Sequence, residues 1–94
     1  MKISIIIPYF NRSHTIERCL ASVINQTFSD WECLVIDDGS SSEEASRLQA
    51  TLSKCNDSRI SSIQHIQNKG GGAARNTGIE ESSGEFIAFL DSDD

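Results

Sequence analysis

Hydrophobic residues along the chain follow two alternating patterns. Ile3–Ile7 is a β-branched run, apolar on both faces except at Ser4, as a strand inside a parallel sheet would be. Pro8 has no N–H to give to a ladder and is expected to end that strand. From Ser13 to Asn25 the period changes. Ile16, Cys19, Leu20, Val23 and Ile24 have the i, i+3, i+4, i+7, i+8 spacing of a helix with one apolar face. Ser13 is its expected N-cap, with Glu17 near the positive end. Glu32–Ile36 is a second short apolar run, leading into Asp37-Asp38-Gly39-Ser40. Ser41 and Glu44 have the spacing of a capping box, and Ala45, Leu48, Leu52 and Cys55 form one stripe on the helix behind it. In Arg59–Ile66 the isoleucines recur every three residues, which matches neither period; its place between two helices predicts a strand. Gly70-Gly71-Gly72 predicts a loop, Ala73–Glu81 a short helix of small residues, and Phe86–Leu90 a fourth apolar strand ending in Asp91-Ser92-Asp93-Asp94.

The order is β-α-β-α-β-α-β. Short apolar strands alternating with helices predict an α/β fold: an open, mainly parallel sheet of four strands with three crossover helices. At 94 residues this is one small domain or a portion of a larger one. With 14 acidic and 8 basic side chains the net charge is −6, which argues against nucleic acid as a partner. No apolar run approaches the ~20 residues of a membrane span, so no transmembrane segment is expected in this chain. Met1-Lys2 leads straight into the first strand without a signal-peptide cleavage site, which predicts an intact N-terminus and a cytoplasmic location. Cys19, Cys33 and Cys55 contain no CxxC pair and are expected to be buried free thiols.

Polar and glycine-rich clusters follow all four predicted strands, at the ends where open parallel sheets bind ligands. Pro8-Tyr9-Phe10-Asn11 offers aromatic rings that could stack on a base, or a plain turn before the first helix. Asp37-Asp38 offers carboxylates for ribose hydroxyls or a base N–H, or a solvated turn. Gly70–Asn76 combines glycines that bare backbone N–H groups at a helix start with a cation, Arg75. It lacks both the dinucleotide-binding glycine spacing and the Lys-Ser/Thr of a phosphate-binding Walker loop. Asp91, Asp93 and Asp94 put three carboxylates in four residues, a hard-oxygen set suited to Mg²⁺ or Mn²⁺. Their convergence at one sheet edge would make a single nucleotide-diphosphate site.

The stretches SIIIPYFN (4–11), SVINQTF (22–28), ECLVIDDGS (32–40), GGAARNTG (71–78) and GEFIAFLDSDD (84–94) resemble the N-terminal, donor-binding half of family 2 inverting glycosyltransferases, of the glycosyltransferase A fold. The resemblance covers essentially the whole chain. It implies that the chain binds a nucleotide-sugar donor, a UDP-sugar in this reading, and that residues 1–94 are the nucleotide-sugar-binding portion of a longer domain, truncated after the Asp-x-Asp motif. By position, Pro8 and Phe10 would line the uracil, with Asn11 beside them among the substrate-binding residues. Asp38 would accept the base N–H, with Asp37 near the ribose. Arg75 would be the cation near base or diphosphate. Asp91 would face the ribose and, with Asp93, hold the Mn²⁺ or Mg²⁺ that bridges both phosphates.

The general base is expected beyond Asp94, as is the acceptor half. The full-length protein could then be peripheral to a membrane. The alternative is a non-catalytic nucleotide-binding fragment; a fragment whose site never assembles is the third reading. A further expectation concerns the last strand. Phe86, Ile87, Phe89 and Leu90 have little following chain to cover them, and an uncovered edge predicts a homodimer.

Overall fold

The computed structural model describes residues 2–92. Strands β1 (Ile3–Tyr9), β2 (Trp31–Asp38), β3 (Ile60–His65) and β4 (Phe86–Phe89) form one parallel sheet in the order β3-β2-β1-β4. Helices α1 (Ser13–Ile24), α2 (Ser42–Cys55) and α3 (Gly71–Glu81) connect them in turn. The chain moves outward from β1 to β3, and α3 then returns it across β2 and β1 to the far side of β1. The direction of winding therefore reverses at β1. Such a reversal opens a crevice at the carboxyl ends of the strands.

The pleat divides the sheet into two cores. Ile5, Ile7 and Tyr9 of β1 and Cys33 and Val35 of β2 pack beneath α1 and α2, which contribute Ile16, Cys19, Leu20, Val23 and Leu48. On the other face Ile6, Leu34 and Ile36 meet Ala74 of α3. The large residues a helix would usually bury are missing from α3. Close approach takes their place, because Gly78 has no Cβ to hold it away from Ile6. The isoleucines of β3 also divide: Ile60 joins the first core, Ile63 the second, and Ile66 lies past the strand in solvent. Cys19 and Cys33 are buried and Cys55 is half-buried.

Four local expectations need correction. α3 starts at Gly71 and not at Ala73, so of the three glycines only Gly70 stays in the loop, as the N-cap. β1 does not stop at Pro8 but runs through it to Tyr9, with Pro8 opposite Ile36 of β2. The Ile6 carbonyl accepts the Leu90 N–H on the β4 side, so the missing Pro8 donor, two residues on, points to the same side. β4 is paired only as far as Ile6, so no ladder bond is lost. Ser13 is not the N-cap of α1. That position is Arg12, whose carbonyl accepts from the N–H groups of Thr15 and Ile16, and no side chain caps the helix. β2 continues two residues past Ile36 and takes in both Asp37 and Asp38.

The capping box expected at Ser41 and Glu44 forms in half: the Ser41 hydroxyl caps α2 by accepting the Glu44 N–H, while the Ser41 N–H donates to Asn11 Oδ1 and not to the Glu44 carboxylate. Ser4, the one polar residue of the first run, is fully buried, and its Oγ donates to Glu32 Oε2 at 2.6 Å while accepting the Gly84 N–H at 2.8 Å. β4 is an edge strand with Phe86, Ile87 and Phe89 about half exposed. Among the described residues no helix is long and apolar enough to cross a membrane.

Candidate functional site

A cleft of about 390 Å³ opens at the carboxyl ends of the strands. Pro8, Tyr9, Phe10 and Arg12 line it from the end of β1, and Asp38 from the end of β2. Asn68, Gly70, Gly71 and Ala74 come from the β3–α3 connection and α3, and Asp91 and Ser92 follow β4. All four sequence clusters thus contribute to one cavity. Phe10 is 41% exposed, a ring held at the rim with no place in either core. Tyr9 is buried below it, and its hydroxyl donates to the Glu44 carbonyl at 2.9 Å. Its phenol is pushed up to about 12, by burial first and then by the carboxylates of Glu44 and Asp37. Tyr9 is therefore a neutral wall and not a proton carrier near pH 7.

Asp37 and Asp38 are adjacent in sequence, but the pleat sends them to opposite faces. Asp37 pairs across from Tyr9, is buried, and accepts the Ser40 N–H at 3.1 Å, which closes the turn after β2. It is not among the cleft-lining residues. Asp38 is on the α3 face and lines the cleft. Its Oδ1 accepts the Lys69 N–H at 2.9 Å and its Oδ2 the Gly70 N–H at 2.8 Å. His65 Nδ1 lies 2.8 Å from Oδ1. Burial raises the Asp38 pKa, but the bonds from His65, Lys69 and Gly70 outweigh it and hold the carboxyl below its ordinary value. Asp38 thus binds the loop that forms the opposite wall. Gly39 lets that loop come close: at φ +75 it has no Cβ, and one would collide with the backbone of Gln67 and Asn68.

Asn11 sits in the left-handed region at φ 51 and ties two loops together. Its N–H donates to Ser40 Oγ at 2.9 Å, and its Oδ1 accepts the Ser41 N–H at 3.1 Å. It supports the cleft from outside and does not line it. Arg75 is exposed on α3 and folds back to the helix start, with Nη1 3.6 Å from where a Gly71 Cβ would stand. It lies at the rim. α3 has Gly70 at its N-cap and no side-chain cap. The first intrahelical bond is Ala74 N–H to the Gly70 carbonyl, so the N–H groups of Gly71, Gly72 and Ala73 have no acceptor within the helix. Those donors, with Arg12 and Arg75 nearby, suit a polyanion.

The segment after β4 is fixed to α1 through its backbone. Thr15 Oγ1 donates to the Ser92 carbonyl at 2.8 Å, and the Cys19 thiol to the Asp91 carbonyl at 3.6 Å. The Asp91 side chain is left exposed at the cleft. Asp93 and Asp94 lie outside the described residues. Among those described, no group of three His, Cys, Asp or Glu side chains could cage a metal ion. Mg²⁺ and Mn²⁺ do not require one, since each can be shared between one or two carboxylates, water and the phosphates of a ligand. Asp91 at an open cleft fits that mode.

Sequence reasoning missed two cleft-lining residues and one that stands behind the Asp38 wall. Arg12 and Asn68 carry no pattern of their own. His65 could be found only by pairing β2 with β3, which puts it directly opposite Asp38.

The family model "Glycosyl transferase family 2" matches residues 4–94. The chain belongs to glycosyl transferase family 2. Among curated relatives of the family it is 45% identical over 92 residues to the Escherichia coli UDP-Glc:alpha-D-GlcNAc-diphosphoundecaprenol beta-1,3-glucosyltransferase WfgD. The match covers 98% of this chain and 35% of WfgD, so the chain spans about a third of that relative. Its fold is that of S. aureus TarS 1-349 in complex with UDP-GlcNAc, at TM-score 0.86 and 33% identity over 99% of this chain and 27% of TarS 1-349. The mannosyltransferase PcManGT from Pyrobaculum calidifontis, in complex with GDP-Man and Mn²⁺, shares the fold alone, with TM-score 0.88 at 22% identity over 97% of this chain and 27% of that one.

Proposed function

We propose that the cleft binds the nucleoside diphosphate of a UDP-sugar, and that the whole protein transfers the sugar to an acceptor hydroxyl with inversion. The observation that carries this reading is the convergence of Phe10, Asp38, the open N-terminus of α3 and Asp91 on one cleft. Phe10 and Pro8 flank the base. Asp38, acceptor-only when ionised, receives a base N–H. Asp91, at the cleft, would meet the ribose and, with Asp93, would hold a divalent ion. The N–H groups at the start of α3, with Arg12 and Arg75, face the diphosphate. When bound, Mn²⁺ or Mg²⁺ neutralises charge on the leaving diphosphate. The carboxylate that deprotonates the acceptor is, in this reading, in the part of the fold that corresponds to the roughly two thirds of WfgD outside the match. The chain alone then binds the donor and does not turn it over.

Calorimetry with UDP, in Mn²⁺ and then in EDTA, tests the reading. Binding should weaken when the metal is removed; equal affinity in both would end the metal role. Phe10→Ala removes an exposed ring and should weaken UDP binding about 10- to 100-fold, since stacking on a base contributes roughly 1–3 kcal/mol. An unchanged affinity would move the base elsewhere.

A further inference from the structure

Asp38 and His65 stand opposite each other at the ends of β2 and β3, so their side chains leave the same face of the sheet. Both are nearly enclosed, with side chains 5% and 9% exposed. The imidazole bridges two elements. Nδ1 is 2.8 Å from Asp38 Oδ1, and Nε2 is 2.8 Å from the Thr77 hydroxyl on α3. An ionised carboxylate only accepts, so Nδ1 carries a proton, and the Thr77 hydroxyl can donate to the bare Nε2. A carboxylate offers about four acceptor positions. His65 and the Lys69 N–H occupy Oδ1, and the Gly70 N–H takes one position on Oδ2. Among the described residues one position on Oδ2 is left, and Asp38 is one of the residues that line the cleft.

A fixed acceptor with one free position discriminates by hydrogen-bond polarity. Uracil presents an N3–H that it can accept. Cytosine presents a lone pair on N3, and lone pair against lone pair is repulsive. If the carboxylate could turn or take up a proton, this discrimination would fade. We propose that His65 is a positioning residue that locks Asp38 as a fixed acceptor and thereby sets the preference for uracil over cytosine in this cleft. The inference rests on the UDP-sugar reading above and extends it to a residue outside the ligand's reach. Thr77 completes the lock by holding the ring from α3.

The test is the ratio of CDP to UDP dissociation constants, measured by calorimetry on the 94-residue chain. Wild type should favour UDP by at least about tenfold. His65→Phe keeps the ring volume and removes both hydrogen bonds, and should bring the ratio several-fold closer to one. His65→Asn places an amide N–H where Nδ1–H stood and should retain most of the preference. Thr77→Val keeps the bond to Asp38 and should lower the ratio less than His65→Phe does. It carries the comparison if His65→Phe does not fold, as judged by circular dichroism. Equal loss of both affinities at an unchanged ratio would make His65 structural only and overturn the inference. A wild-type chain that binds UDP and CDP equally well would overturn the base contact itself, and the inference with it. Nitrogen-15 spectra of the imidazole give a readout that needs no nucleotide: a protonated Nδ1 is expected, and a neutral ring protonated at Nε2 would contradict the lock.

Discussion

Gly78 of α3 lies so close to Ile6 of β1 that a Cβ on the glycine would stand 2.5 Å from Ile6 Cγ2. That contact brings α3, and with it the Gly70–Gly72 helix start, down onto the sheet. Gly78→Ala should cost about 1–3 kcal/mol, because neither the strand nor the helix can yield without moving the other. Ile6→Ala should relieve part of the clash. In urea unfolding, the double variant should therefore lose less than the sum of the two singles. Strict additivity would mean that the two residues do not meet.

Asp57 anchors the amino end of the sheet. It pairs with Arg59 at 2.7 Å, while the guanidinium stacks 3.8 Å from the centroid of the Trp31 ring. The Arg59 side chain first, and then its backbone N–H, hold the Asp57 carboxyl at about 2, below its ordinary 3.8. The folded value lies below the unfolded one, so the pair stabilises the fold above about pH 4 and that contribution is lost as pH falls toward 2. Thermal melts from pH 7 to pH 2 should show Asp57→Asn less stable than wild type at neutral pH, with the gap closing in acid. A gap constant across the range would contradict the assignment.

The exposed edge of β4 is proposed to pair with a second copy of the chain. Stable interfaces bury roughly 800 Å² per partner, and four residues of strand edge supply well under that. Association should therefore be weak and depend on concentration. Light scattering across a dilution series should show a rising mass that Phe89→Lys abolishes. A constant monomer mass up to high micromolar concentration would remove the dimer from the account.

The order of elements was legible because β1 and β2 are short, doubly buried apolar runs, two of the helices have clean apolar stripes, and β3 and β4 could be placed by their position between and after helices. Most of the cleft was legible for a related reason: its residues come in clusters that directly follow strands. What escaped depends on contacts between elements. Pro8 looks like a strand end until the early departure of β4 from β1 shows that no donor is needed there. Asp37 and Asp38 look like a pair until β2 proves two residues longer and its pleat divides them. Asn11 has the composition of a site residue, yet it stitches two loops behind the site. The bond from His65 to Asp38 crosses 27 positions of sequence and follows only from strand register.

Titration of the isotope-labelled chain with UDP in the presence of Mn²⁺, followed by amide NMR shifts, tests the central claim most directly. The account predicts that the resonances of Phe10, Asp38, Asn68, Gly70, Gly71 and Asp91 move together on one binding curve, while those around Glu17 and Lys54 on the outer face of α1 and α2 stay still. Shifts confined to that outer face, or no shifts at millimolar UDP, would contradict it.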